Sequence, residues 1–393
     1  MISTLGTSGT WHLFTGEYPP ACGGVADYTH RLASALATGG ADVRVWTTTE
    51  AAVPHSSVRI HRVGQNWTLR ALFRLDGALE RQPGPRRILI EYVPSNFGGR
   101  SVNLIFALWV WWRSRVRRDR VGVMFHEFAL PRTHGWTRAR LAGSIHRAMA
   151  FLLIRASRNI WVSTPVNGER VTRRQLPGAN PPRWTPIPSN LPVNPIAPDE
   201  LRELRVASAG TSRFVVGHFG TFTGHTVGIL NAILPRLLVE IPECTALLFG
   251  RQSREFAGRL LVDHPGLRER LRAFGQLPAE RLSHYLQTCD IAFQPYMDGI
   301  TSRRTTAMAA LAHGLAVVTN SGPTTEPIWK EFGAVELLDI SAEPAAYIAA
   351  ISRLLRSPAD RVRIAEAGRR LYDVKFDLRH TLRSLANAVA EGY

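Results

Sequence analysis

The sequence is nearly without lysine. Lys330 and Lys375 are the two lysines, so arginine supplies 46 of the 48 basic residues. Cysteine is scarce too. Cys22, Cys244 and Cys289 stand far apart with no metal-type spacing, which argues against a disulfide framework or a zinc site and suits reduced thiols in cytoplasm. No uncharged apolar run approaches the roughly 18 residues of a spanning helix. Residues 1–10 are polar and carry no basic segment, so no secretory signal is expected. The motifs Gly-x-Ser-x-Gly, His-Glu-x-x-His and Gly-x-x-x-x-Gly-Lys-Ser/Thr are all missing, which sets aside the corresponding hydrolase, metalloprotease and P-loop chemistries. Acids number 31 against those 48 bases, and the net charge of +17 predicts an anionic partner. Nucleic acid is not expected, because the arginines are dispersed and no binding module is recognisable.

What is present describes a globular α/β protein. With 393 residues, 45% hydrophobic and 20% charged, the chain fits two domains of roughly 200 residues. In the first half, candidate strands at 11–14, 43–47, 58–63, 87–91, 122–126 and 159–163 alternate with helical patterns, which predicts a parallel sheet covered on both faces. Proline then crowds 181–195, and this breaks both helices and central strands. The alternation restarts with strands at 214–220, 246–250, 271–275, 291–295 and 316–319. The expected division is 1–195, 196–377, and a final helix at 378–393 that packs back on the first domain. Two successive doubly wound sheets place ligands at the carboxyl ends of their strands, in a cleft between the domains.

Several strand ends carry residues suited to binding. After the first strand, Thr15-Gly16-Glu17-Tyr18-Pro19-Pro20-Ala21-Cys22-Gly23-Gly24 leads into a helix, and Gly23 and Gly24 at its mouth suit an anion. Glu17 either binds acceptor hydroxyls or caps its turn. The stretch Gly299-Ile300-Thr301-Ser302-Arg303-Arg304-Thr305-Thr306 is expected to open a helix. Two arginines in a first turn oppose the helix dipole, which points to a bound diphosphate held by Arg303 and Arg304, or else to a solvated surface pair. Gly220-Thr221-Phe222-Thr223-Gly224 either wraps phosphate or is an ordinary tight turn, and Arg251 follows another strand. Glu91, Tyr92 and Phe97 close a first-half strand and are expected to line an acceptor surface, with the core as the alternative for Tyr92 and Phe97. The run Leu104-Ile105-Phe106-Ala107-Leu108-Trp109-Val110-Trp111-Trp112 leads straight into Arg113, Arg115, Arg117, Arg118 and Arg120. Tryptophan beside arginine reads as an interfacial helix on an anionic membrane, the alternative being a buried helix with a solvated basic tail. His12, His30, His55 and His61 are scattered and suggest no site.

Taken together, Gly-Glu-Tyr-Pro-Pro…Gly-Gly-Val-Ala-Asp-Tyr, Gly275-Gln276-Leu277…Cys289-Asp290-Ile291-Ala292-Phe293-Gln294-Pro295 and Ala309-Ala310-Leu311-Ala312-His313-Gly314-Leu315-Ala316-Val317-Val318-Thr319 resemble the GT-B glycosyltransferases of the large retaining nucleotide-sugar group (family 4-like). The resemblance covers nearly the whole chain. It implies two Rossmann-like domains and transfer of a sugar, with retention, from a UDP- or GDP-sugar to an acceptor hydroxyl, and the Trp/Arg helix points to a lipid-linked sugar acceptor, a soluble one being the alternative. Neither cofactor nor metal is implied. Exopolysaccharide or glycolipid assembly at the inner membrane face would be the setting. In this resemblance His126 lies beside the donor sugar and Glu326 near the donor; Glu127, next to His126, is a candidate acceptor-side base from its position alone. The family's Glu-x7-Glu pair falls at Thr301 and Ala309, neither acidic, with Asp298 as a stand-in for the first. His225 is the nearest candidate for a basic grip on the diphosphate after the 220–224 turn. Loss of those acids also suits a GT-B-shaped binding or scaffold protein without catalysis.

Overall fold

The computed structural model describes residues 9–21, 23–50, 57–97, 102–128 and 137–393, without the side chains of 137–140 and 225. Cys22, His55, Gly98 and the His225 side chain lie outside that description. Residues up to Ile187 together with Leu378–Tyr393 form one compact unit, and Pro188–Asp377 form the other.

In unit 1 the chain runs β1 (Thr10–Thr15), α1 (Gly24–Thr38), β2 (Asp42–Thr47), β3 (Val58–Arg62), α2 (Leu69–Glu80) and β4 (Arg87–Tyr92). It continues through α3 (Leu104–Trp112), β5 (Arg120–Phe125), α4 (Thr137–Ala156), β6 (Asn159–Val162), α5 (Pro165–Thr172) and β7 (Arg183–Trp184). The strands are parallel in the order β3-β2-β1-β4-β5-β6-β7. Side chains alternate between faces along each strand. Ile88, Ile90 and Tyr92 meet Leu72 and Leu75 of α2, Phe106 and Val110 of α3 and Leu153 of α4 in one cluster. Leu89 belongs to the cluster on the opposite face, with Leu32 and Leu36 of α1. Tyr92 is therefore fully buried core between Phe97 and Phe125, a correction to its expected place on an acceptor surface.

Unit 2 runs α6 (Pro198–Ala209), β8 (Phe214–Phe219), α7 (Gly224–Glu240), β9 (Cys244–Phe249), α8 (Ser253–Asp263), β10 (Leu271–Gly275) and α9 (Ala279–Gln287). Then come β11 (Ile291–Phe293), α10 (Thr305–Ala312), β12 (Ala316–Asn320), α11 (Ile328–Glu331), β13 (Glu336–Leu338), α12 (Pro344–Arg356) and α13 (Pro358–Leu371). Its parallel order is β10-β9-β8-β11-β12-β13. Strand β9 is buried at every residue, as a sheet covered on both faces requires. Cys244 and Cys289 are buried free thiols, pushed up to about 12 by burial.

The proline-rich stretch is split between the units. From Pro188 onward it belongs to unit 2, earlier than the expected boundary after Pro195. The Asn194 N–H donates to Ser283 Oγ at 2.9 Å, and Gln287 Nε2 donates to Asn194 O at 2.9 Å, so α9 ties this segment down. The last helix, α14 (Leu378–Ala390), packs Leu382 and Leu385 into unit 1, where Trp161 Nε1 donates to Ser384 Oγ at 2.9 Å.

The expected basic tail after α3 is not uniformly solvated. Arg113 is fully buried. Its Nε donates to Asp119 Oδ2 at 2.6 Å, and its Nη1 donates to Glu80 Oε1 at 3.0 Å and to Asp76. Arg86 approaches Asp119 at 3.4 Å. A buried guanidinium needs this full set of acceptors to offset its desolvation. Arg115, Arg117 and Arg118 remain exposed.

Candidate functional site

The order of the unit 2 sheet reverses between β8 and β11, and open parallel sheets bind ligands at the carboxyl side of such a reversal. Three backbone segments converge there. The Gly220 N–H donates to Phe249 O at 3.0 Å. At Gly250, φ is +115° and a Cβ would lie 2.0 Å from Gly220 O, so only glycine lets the turns after β8 and β9 touch. Thr221 and Arg251 on these turns are exposed.

His218 bridges the reversal. Its Nδ1 donates to Phe293 O at 2.8 Å, which leaves Nε2 as an acceptor. That Nε2, the Gln294 Nε2 and the Thr301 hydroxyl are buried and have no partner among the described residues. Buried polar groups are nearly always satisfied, so this edge is short of hydrogen-bond partners. Burial pushes His218 down to about 4. Between that value and the ordinary one near 6.5, the unfolded chain binds a proton that the fold refuses. Its contribution to stability is thus complete above pH ~6.5 and is lost as pH falls toward 4, at up to about 1.4 kcal/mol per pH unit. We expect His218→Gln to flatten the decline in the unit 2 melting temperature between neutral pH and pH ~5; equal slopes for variant and wild type would contradict this.

The 298–304 loop differs from its expected form. Helix α10 begins at Thr305 with Arg304 at its cap position and no side-chain cap, so the arginines precede the first turn. Both are tied to Asp298, Arg303 at 3.2 Å and Arg304 more closely, and the Arg304 guanidinium lies 4.8 Å over the Tyr296 ring. Asp298 thus cancels part of the charge of the pair. The Ser302 N–H and hydroxyl donate to Glu326 Oε1 at 3.0 and 2.6 Å, and Trp329 Nε1 donates to Glu326 Oε2 at 2.8 Å. These bonds engage the Ser302 amide and the Glu326 carboxylate within the protein. Ala309 is fully buried in α10.

In unit 1 the sheet reverses between β1 and β4. His126, just past β5, is buried, and its Nε2 lies 2.7 Å from Glu91 Oε2 at the end of β4. The Tyr28 ring meets the imidazole edge-on at 5.0 Å. The carbonyl of His126 accepts from Ser163 Oγ at 3.0 Å, which fixes the backbone. Glu91 was expected on an acceptor surface, and its partnership with His126 was not foreseen. Glu127 is half-buried, and its N–H reaches Tyr92 O at 3.5 Å. Helix α1 starts at Gly24, and a Cβ on Gly23 would lie 2.7 Å from Glu17 Oε1. The Glu17 carboxylate therefore lies beside the mouth of α1.

His218 and Gln294 were missed as candidates. The available signal was a polar residue closing an otherwise apolar strand, in Phe214-Val215-Val216-Gly217-His218 and in Ile291-Ala292-Phe293-Gln294.

Residues 225–371 match the family of glycosyl transferases group 1. No curated protein sequence matches the chain. Among solved structures, the chain is similar to a sucrose-phosphate synthase from Thermosynechococcus elongatus, 18% identical over 98% of each chain, with a TM-score of 0.74. HepE of Anabaena in complex with UDP is 14% identical over 98% of this chain and 100% of that one, with a TM-score of 0.72. WaaG, described as a glycosyltransferase involved in lipopolysaccharide biosynthesis, is 14% identical over 98% of each chain at a TM-score of 0.65. Residues 225–371 thus match the glycosyl transferases group 1 family, in a chain whose α/β fold, with two Rossmann-like sheets, is that of the GT-B glycosyltransferases.

Proposed function

We propose that the protein moves a hexose from a nucleotide diphosphate sugar to an acceptor hydroxyl, with retention at the anomeric carbon. The observation that carries this reading is the set of unsatisfied buried polar atoms, His218 Nε2, Gln294 Nε2 and Thr301 Oγ1, on the carboxyl edge of the unit 2 sheet. An acceptor, an amide donor and a hydroxyl suit the mixed donors and acceptors of a nucleoside or sugar better than a bare phosphate. HepE has been solved with UDP-glucose, which supports a nucleotide sugar as donor.

In this reading unit 2 takes the donor. Gly220, Thr221 and Arg251 line its phosphate side, and Arg303 and Arg304 face the diphosphate as Asp298 yields them. Charge building on the leaving diphosphate is then met by preorganised guanidinium groups. Glu326 acts indirectly, by anchoring Ser302 and with it the arginine loop. Unit 1 takes the acceptor through Glu17 and Glu127. His126, oriented by Glu91, offers its other ring nitrogen to a sugar hydroxyl. The resemblance to retaining enzymes and the small number of acids at these strand ends both favour same-face attack without a carboxylate nucleophile. Glycolipid or exopolysaccharide assembly is the setting that a lipid-linked acceptor implies.

The test is a thermal-shift and calorimetric screen against UDP, GDP and their sugars, followed by measurement of donor hydrolysis and transfer. Saturable binding of one nucleotide diphosphate with turnover is expected. Binding with no turnover on any acceptor would assign the protein to the scaffold class, a reading favoured by the buried Ala309. Absence of binding to the whole panel would overturn both.

A further inference from the structure

Helices α2, α3 and α4 lie side by side on one face of the unit 1 sheet, with their inner residues in a single core cluster. The Asn103 N–H meets Met149 Sδ at 3.4 Å, and Ser114 Oγ donates to Ala156 O at 2.6 Å, so α3 and the turn after it run along α4. Their outward stripes accordingly share one outer surface. That surface is unusually apolar. Phe73 is 70% exposed and Ile105 50%, and Leu69, Leu108, Trp111 and Phe151 are also exposed. Contiguous apolar exposure of this kind marks an interaction site.

The charges around it specify the occupant. Arg70 and Arg74 on α2, and Arg115 and Arg118 in the segment after α3, are exposed on the same elements. Neither α3 nor α4 contains an acid. The two acids of α2, Asp76 and Glu80, are engaged with Arg113 and Arg117. We propose that this three-helix face docks on an anionic lipid surface, with the aromatic and aliphatic side chains in the interface and the arginines on the headgroups. A second copy of the chain fits poorly, because a net charge of +17 opposes self-association. The contact is peripheral. No described helix is long and apolar enough to cross a membrane, and the nine residues of α3 span only about 13 Å of a core roughly 30 Å thick. The sequence pointed to residues 104–120 alone. The structure removes Arg113 from the contact and adds α2 and α4.

The experiment is flotation of the full-length protein with phosphatidylcholine vesicles, with and without about one third phosphatidylglycerol. The protein should float with the anionic vesicles, less so with neutral ones, and less as salt is raised. Phe73→Ser/Ile105→Ser/Trp111→Ser should lower the floated fraction about tenfold or more at an unchanged melting temperature. Val262→Ser, which removes an exposed apolar side chain of unit 2, should leave it unchanged. Wild type that stays down with anionic vesicles, or a folded triple variant that floats normally, overturns the proposal. So does concentration-dependent dimerisation lost in the triple variant, which would assign the face to a second copy. No sugar donor enters this assay, so its outcome is independent of the transferase reading.

Discussion

Arg303→Ala and Arg304→Ala should each weaken binding of the preferred nucleotide diphosphate by about tenfold to a hundredfold, and the double variant by more. A hydrogen bond to a charged group contributes about 1.5–3 kcal/mol, which corresponds to that range of dissociation constants. Turnover should fall at least as far, because charge on the leaving diphosphate grows in the transition state. Asp298→Asn should act in the opposite direction. Asp298 holds both guanidinium groups and cancels part of their charge, so its neutralisation releases them to a ligand. Isothermal titration of the four variants against wild type measures this. An unchanged dissociation constant in Arg304→Ala, or weaker binding in Asp298→Asn, would show that the loop serves only itself.

The second large effect concerns stability. Arg113→Met strands the fully buried Asp119 without its main partner, and breaking a buried ion pair this way costs roughly 3–5 kcal/mol. For a unit of this size that lowers the melting temperature by about 10 °C. Arg113→Met/Asp119→Leu should recover most of the loss, since an apolar pair tolerates the same burial. Asp76 and Glu80 are partly exposed and can be solvated instead. The pH dependence has a definite sign. Burial already holds the Asp119 carboxyl above its usual range, against the pull of Arg113 and Arg86. Losing Arg113 raises it further. A carboxyl raised in the fold contributes stability that is present below its unfolded value and is lost as pH rises through its folded value. The deficit of Arg113→Met should therefore shrink on acidification. A deficit that is flat or grows toward low pH would place the cost elsewhere.

Much of the architecture was legible because it is written in local patterns. Apolar runs such as 87–91 and 246–250 are long enough to be buried strands, and the glycines and prolines around them mark the turns. The short edge strands β7 and β13, two and three residues long, left no such pattern. The candidate site was legible only as a set of places. Gly220, Arg251, His126 and the 299–306 loop all fall at strand ends. Their partners could not be foreseen, because the pairs lie far apart in the chain: Glu91 with His126, Ser302 with Glu326, His218 with Phe293. Tyr92 shows the same limit, since its face of the sheet depends on which helices cover it.

By itself, the amino-acid order determined two α/β units, an arginine-borne excess of positive charge, and strand ends rich in glycine and polar residues. Those properties follow from hydrophobic periodicity and composition, which need no neighbour. Only the tertiary structure decided which charges are occupied and which remain at the surface. Arg113 was drawn into the core while Arg115 and Arg118 were left outside, and Asp298 was set against two arginines. Burial and pairing are properties of distance between residues remote in the chain, and that distance exists only once the sheets are assembled.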